Sequence, residues 1–145
     1  MPILNKVTKA ITKPLPKMVS PRTHAIMDYL TAGSFLAMGT ILWSRSKRAA
    51  LGAFLCGGAE LALSLLTDYP GGVKKVISFP MHGDIDVGLA AMTAAMPEFM
   101  AFEDESEKSF FVTQSVIKTA VTGLTDFDPA ARRRARRERR LRKAA

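Results

Sequence analysis

Cysteine is almost absent from this 145-residue chain. Cys56 stands alone, which excludes a disulfide scaffold, a paired-cysteine redox motif and a covalently attached haem. Ten glycines and eight prolines are too few for a collagen-like repeat, and 48% apolar residues are too many for a disordered polymer. Catalytic signatures are missing as well. There is no G-x-S-x-G elbow, no H-E-x-x-H pair and no phosphate-binding glycine loop. Ser20, His24 and Asp28 contain the three residue types of a hydrolytic triad, but a spacing of four stacks them along one helix face, and an enzyme is the weakest reading. Excess charge is missing from most of the chain. From Ala130 onward, eight Arg and one Lys oppose Glu138, which accounts for the whole net charge of +8. The preceding body is neutral.

What is present is apolar and long. Four stretches run at about 23–43, 49–67, 82–102 and 108–124. As helices each is roughly 26–32 Å long, close to the hydrocarbon thickness of a bilayer. No stretch alternates with period two, and Ala, Leu and Met outnumber β-branched residues, so strands are excluded. The second stretch is apolar on nearly every face, with Glu60 as its one acidic group. Arg45–Arg48, Asp68–Gly72, Glu103–Glu107 and Asp128-Pro129 punctuate the stretches. The expected fold class is all-α: a four-helix transmembrane up-down bundle with short links. Mean hydropathy is only +0.08, because the charged ends dilute the apolar body.

Expected placement is the bacterial inner membrane, multi-pass, with both termini cytoplasmic. Lys6, Lys9, Lys13, Lys17, Arg22 and the Arg-rich tail would then satisfy the positive-inside bias, while Arg45, Lys47 and Arg48 run against it. Residues 1–19 lack the apolar core of a cleavable signal and read as a basic amphipathic segment. The tail, residues 130–145, points to anionic lipid headgroups. Sequence-specific nucleic acid is not expected, because no aromatics interleave with its arginines. A homo-oligomer or a larger membrane complex is compatible with the composition.

Sliding the chain against itself is the most informative step. At an offset of 58, Ser20, His24 and Asp28 fall on Ser78, His82 and Asp86, and Leu66-Thr67-Asp68-Tyr69 falls on Leu124-Thr125-Asp126-Phe127. The two histidines of the chain superpose. This divides it into a first two-helix repeat, 20–76, and a second, 77–129, with one orientation and a pseudo-two-fold axis between them. All the matched polar residues then belong at the same end, giving a candidate cluster of Ser20, His24, Asp28, Asp68, Ser78, His82, Asp86 and Asp126. Glu60 and Lys118 are repeat equivalents of opposite charge, placed to pair at mid-depth.

The combination S-x3-H-x3-D-Y, LTDYP-GG-V-K, I-x-F-P-x-H-x3-D-x-G and LTDF over about residues 18–128 resembles small bacterial membrane proteins of the SPW-repeat type. That resemblance implies tandem two-helix membrane repeats and no assigned activity. The polar cluster itself admits three readings. It is a set of self-satisfied structural contacts, or a cofactor site in which His24, His82, Asp28 and Asp86 bind a metal or the two histidines bind a b-type haem, or a proton or ion relay. The first leads, so the expected role is a small structural or partner-binding membrane protein.

Overall fold

The computed structural model describes residues 16–102 and 105–144, with no side-chain account of Glu105. Most of the expected basic N-terminal segment therefore lies outside the described residues. Among the described residues there are five helices: α1 Pro21–Leu42, α2 Lys47–Leu66, α3 Phe79–Phe99, α4 Glu105–Leu124 and α5 Pro129–Ala144. Among the described residues there is no strand, only two single bridges, Val19 to Thr125 and Thr67 to Ile77. The protein is all-helical, as its composition requires.

Local chemistry sets the helix starts. The Ser20, Ser46 and Ser78 hydroxyls accept the N–H groups of Thr23, Ala49 and Met81, capping α1, α2 and α3. Asp128 does the same for α5 through Ala131 N–H at 2.8 Å. Pro21 and Pro80 occupy the first turns of α1 and α3, where no intrahelical N–H is missed. All four long helices start two or three residues earlier than hydropathy suggests, at Pro21, Lys47, Phe79 and Glu105. Pro97 lies inside the last turn of α3, and the helix stops two residues later.

The four long helices touch in a closed cycle, α1 on α2, α2 on α3, α3 on α4 and α4 on α1. The starts of α1 and α3 meet the ends of α2 and α4 at one end of the molecule, as Met18 and Val19 N–H bonding to Leu124 O illustrate. The link from α2 to α3 folds back on that end. Gly71 adopts φ +110°, a conformation that favours glycine, and a Cβ on Gly72 would stand 1.8 Å from the Thr67 carbonyl oxygen. Close helix approach also depends on small residues. A Cβ on Gly57 would meet Phe35 at 2.9 Å and the Ala32 carbonyl at 3.1 Å.

The interior is divided along its length. Away from the termini, Phe35, Leu42, Ala49, Ala50, Ala53, Cys56, Met96, Phe102 and Phe111 form an apolar core. Toward the termini the buried groups are polar: His24, Asp28, Glu60, Thr67, His82, Asp86, Lys118 and Thr125. Meanwhile Ile26, Leu30, Leu51, Leu55, Val87, Val112 and Val116 face outward. By length and apolarity, α1 and α2 qualify as candidate membrane spans. The α5 helix has no buried residue and stands off the other four.

Candidate metal centre

The polar half is organised around the two histidines. His24 on α1 and His82 on α3 are fully buried and approach Nε2 to Nε2 at 3.1 Å. Their other ring nitrogens are tethered in matching fashion. His24 Nδ1 lies 2.7 Å from Thr125 Oγ1, and His82 Nδ1 lies 2.8 Å from Thr67 Oγ1. Each threonine hydroxyl donates to a carbonyl one helical turn back, Thr67 to Leu63 O and Thr125 to Val121 O, both at 2.6 Å. The hydroxyl proton is therefore committed, and only the oxygen's lone pair remains for the imidazole. Nδ1 must carry hydrogen on both rings, so in the neutral tautomer both Nε2 lone pairs point at the same spot.

Two carboxylates complete that spot. Asp28 Oδ1 is 3.4 Å from His24 Nε2, Asp28 Oδ2 is 3.3 Å from His82 Nε2, and Asp86 Oδ2 is 3.8 Å from His24 Nε2. One ligand atom from each of the four residues lies within 4.8 Å of every other. The carboxylates are themselves held. Tyr69 donates its hydroxyl to Asp28 Oδ2 at 3.0 Å, and Thr122 donates to Asp86 Oδ2. Burial pushes the Tyr69 phenol above its ordinary pKa, so it stays a donor. Phe79, Tyr69 and Phe127 pack against the rings; Phe127 is 5.2 Å from His24 between centroids, and Tyr69 is 5.2 Å from His82.

Glu60 and Lys118 meet beneath the histidines. Lys118 Nζ donates to Glu60 Oε2 at 2.5 Å and also contacts Asp86 Oδ1. All of these groups are buried. Three buried carboxylates, Asp28, Glu60 and Asp86, thus face one ammonium. Were all three carboxylates ionised and both imidazoles neutral, two negative charges would be left without compensation.

Four members of the cluster expected from sequence do not join it. Ser20 and Ser78 are spent as helix caps. Asp68 is exposed and pairs with Lys75 at 3.0 Å, and Asp126 pairs with Arg132 at 2.6 Å. Both aspartates follow the last residue of their helix, where the chain has already turned outward, and the preceding Thr67 and Thr125 point inward instead. Those threonines and Tyr69 are the cluster residues that sequence reasoning missed. Their signal was available, because Thr67 and Thr125 lie inside the matched tetrapeptides at the offset of 58.

Fold and centre together define an all-helical protein with a buried core of two imidazoles and two carboxylates. Comparison with family models, with curated proteins and with solved structures finds no match.

Proposed function

We propose that this chain is an integral membrane protein in which one divalent transition-metal ion joins two tandem helical hairpins. The observation that carries the reading is the convergence of His24 Nε2, His82 Nε2 and the Asp28 and Asp86 carboxylates, with both histidine tautomers dictated by threonines. A tetrahedral ion with bonds of about 2.0–2.1 Å has ligand atoms about 3.3–3.4 Å apart. Four contacts among these groups, 3.1, 3.3, 3.4 and 3.8 Å, lie near that value, the 3.3 and 3.4 Å ones to different oxygens of Asp28, and one atom from each residue lies within 4.8 Å of the others. Outer partners on each ligand are the usual accompaniment of a metal site. A divalent cation would also cancel two such charges.

Each hairpin supplies one histidine and one aspartate, and each histidine is held by a threonine of the other hairpin. The pairs His24–Thr125 and His82–Thr67, like the bridges Val19–Thr125 and Ile77–Thr67, interchange under the 58-residue offset, which supports the duplication. Four protein ligands leave no open position, so the ion acts as a structural cross-link and not as a reaction centre. A b-type haem fits less well. Axial ligands stand on opposite faces of a macrocycle, and here the two nitrogens are at hydrogen-bond distance with aromatic rings on their flanks. Relay of ions across the molecule would need polar groups through the half filled by Phe35, Met96 and Phe111.

Membrane placement is supported by the location of charge. No charged side chain is exposed over residues 26–42 of α1, 51–66 of α2, 87–97 of α3 or 109–123 of α4, and Asp28, Glu60 and Lys118 within those spans are buried. Polar inside and apolar outside is the arrangement a bilayer selects. The lower hydropathy of α3 and α4 arises partly from inward-facing Asp86, Thr93, Ser115, Lys118 and Thr122. The basic α5 supports a cytoplasmic placement of the histidine end.

The test has two arms. Alkaline extraction of cell membranes should leave the protein in the pellet, and elemental analysis of detergent-purified protein should find one divalent ion per chain, lost in His24→Gln/His82→Gln. Release by alkali overturns the membrane placement. Metal content unchanged in the double variant overturns the centre, in favour of a proton shared between the two Nε2 atoms.

A further inference from the structure

Two adjoining cavities remain outside the metal centre. One, about 680 Å³, is a groove between α3 and α4 floored by small residues that include Ala91, Ala94, Thr119 and Gly123. The other, about 750 Å³, lies between residues 17–21 and the start of α5, and is lined by Arg132, Arg133 and Arg136. Lys17 borders both, and its ammonium donates to the Gly123 carbonyl at 2.8 Å.

The groove has a cause that the internal repeat makes visible. At the offset of 58, Val87, Ala94, Thr119 and Gly123 correspond to Tyr29, Leu36, Leu61 and Leu65. In the first hairpin those four large side chains are partly buried. In the second, each is replaced by a smaller one, and the seam between the helices is open. The open length from Pro80 to Ala94 is roughly 21 Å along the helix axis. Charge is arranged at the end near the termini. Arg132 is paired with Asp126, but Arg133 and Arg136 are exposed and have no acidic partner among the described residues. Asp84 borders the groove, and Asp126, paired with Arg132, lines the crevice.

We propose that groove and crevice are one binding site for an anionic phospholipid, its phosphate held by Lys17, Arg133 and Arg136 and an acyl chain laid along Ala91, Ala94 and Gly123. A cationic mouth at headgroup depth that opens into an apolar slot matches such a molecule in both charge and shape. The phosphate is that of a lipid and not a free anion, because the slot adds apolar contact that an inorganic ion cannot use. This inference rests on the membrane placement and is independent of the metal.

The experiment is native mass spectrometry of the full chain released from nanodiscs that contain equal phosphatidylglycerol and phosphatidylcholine. Wild type should retain one phosphatidylglycerol, and millimolar inorganic phosphate should not displace it. Lys17→Gln/Arg133→Gln/Arg136→Gln should lose roughly a hundredfold in preference for the anionic lipid. Ala94→Leu/Thr119→Leu, which installs the first hairpin's residues, should abolish retention; Ala94→Leu alone should weaken it, and an unchanged far-ultraviolet circular dichroism spectrum and elution volume would show that either variant is folded. Equal retention of both lipids by wild type, displacement by phosphate, or full retention by folded Ala94→Leu/Thr119→Leu overturns the site. A chain that pellets with alkali-washed membranes and fails these tests refutes the lipid site alone; a chain that alkali releases refutes the membrane placement.

Discussion

His24 and His82 face each other through Nε2 at 3.1 Å, while their Nδ1 atoms are bound to Thr125 and Thr67. Since each threonine has given its proton to a helix carbonyl, both imidazoles are donors on the outer nitrogen. Two lone pairs at that separation repel unless something positive lies between them. A proton supplies one charge, and a divalent ion with Asp28 and Asp86 as further ligands supplies two. The convergence of the Asp28 and Asp86 carboxylates on the two Nε2 atoms favours the ion.

The threonine tethers yield the sharpest consequence for binding. Thr67→Val and Thr125→Val nearly preserve side-chain shape and remove the acceptor for Nδ1. Loss of an outer-shell partner of a metal-bound histidine costs about 10–100-fold in affinity. Each single variant should therefore bind zinc about 10–100-fold more weakly than wild type in competition with a chromophoric chelator. Affinity unchanged in both variants would separate the threonines from the centre.

The buried ammonium predicts an asymmetry in stability. Lys118→Met leaves Glu60 and Asp86 facing each other without a cation, and breaking a buried pair from one side costs about 3–5 kcal/mol. Glu60→Met/Lys118→Met removes the charges of that pair together and leaves only Asp86 without its ammonium contact, so it should recover part of that loss. Unfolding in mixed micelles of the two variants beside wild type measures the difference. Equal destabilisation by both would show that Lys118 acts through packing alone.

Most of the architecture could be read from the chain before any coordinates. Four helical stretches, their order and the neutral body with a basic tail follow from apolar run length and charge distribution. His24, Asp28, His82 and Asp86 follow from one observation, that the two histidines and their aspartates superpose at the offset of 58. The pairing of Glu60 with Lys118 is legible for the same reason. Direction at a helix end was harder to read. Asp68 and Thr67 are adjacent, yet Asp68 is exposed beside Lys75 and Thr67 is fully buried beside His82. Hydropathy favours Thr67 as the inward residue, yet the offset of 58 matches Asp68 with Asp126 just as well. The turn made by Gly71 and Gly72, which folds the link back over the helix end, decides it. Tyr69 and Phe127 are matched at the same offset, although only the phenol can hold Asp28.

The two halves of the interior should respond separately to substitution. Phe111 is fully buried at the far end, packed with Phe35 and Phe102, and distant in the fold from the histidines. Phe111→Ala should lower unfolding stability by about 3–5 kcal/mol. Metal stoichiometry should stay at one per chain under native conditions, as elemental analysis of the purified variant would check. A Phe111→Ala protein that folds but has lost its metal would contradict the division of the core.

Cobalt(II) titration of the metal-stripped protein, followed by visible absorption, tests the centre most directly. The account predicts saturation at one equivalent, the intense d–d bands of a tetrahedral site without thiolate charge transfer, a rise in melting temperature that tracks occupancy, and none of these in His24→Gln/His82→Gln. A wild-type spectrum no different from that of the double variant would contradict it, and would leave His24 and His82 as partners through a proton.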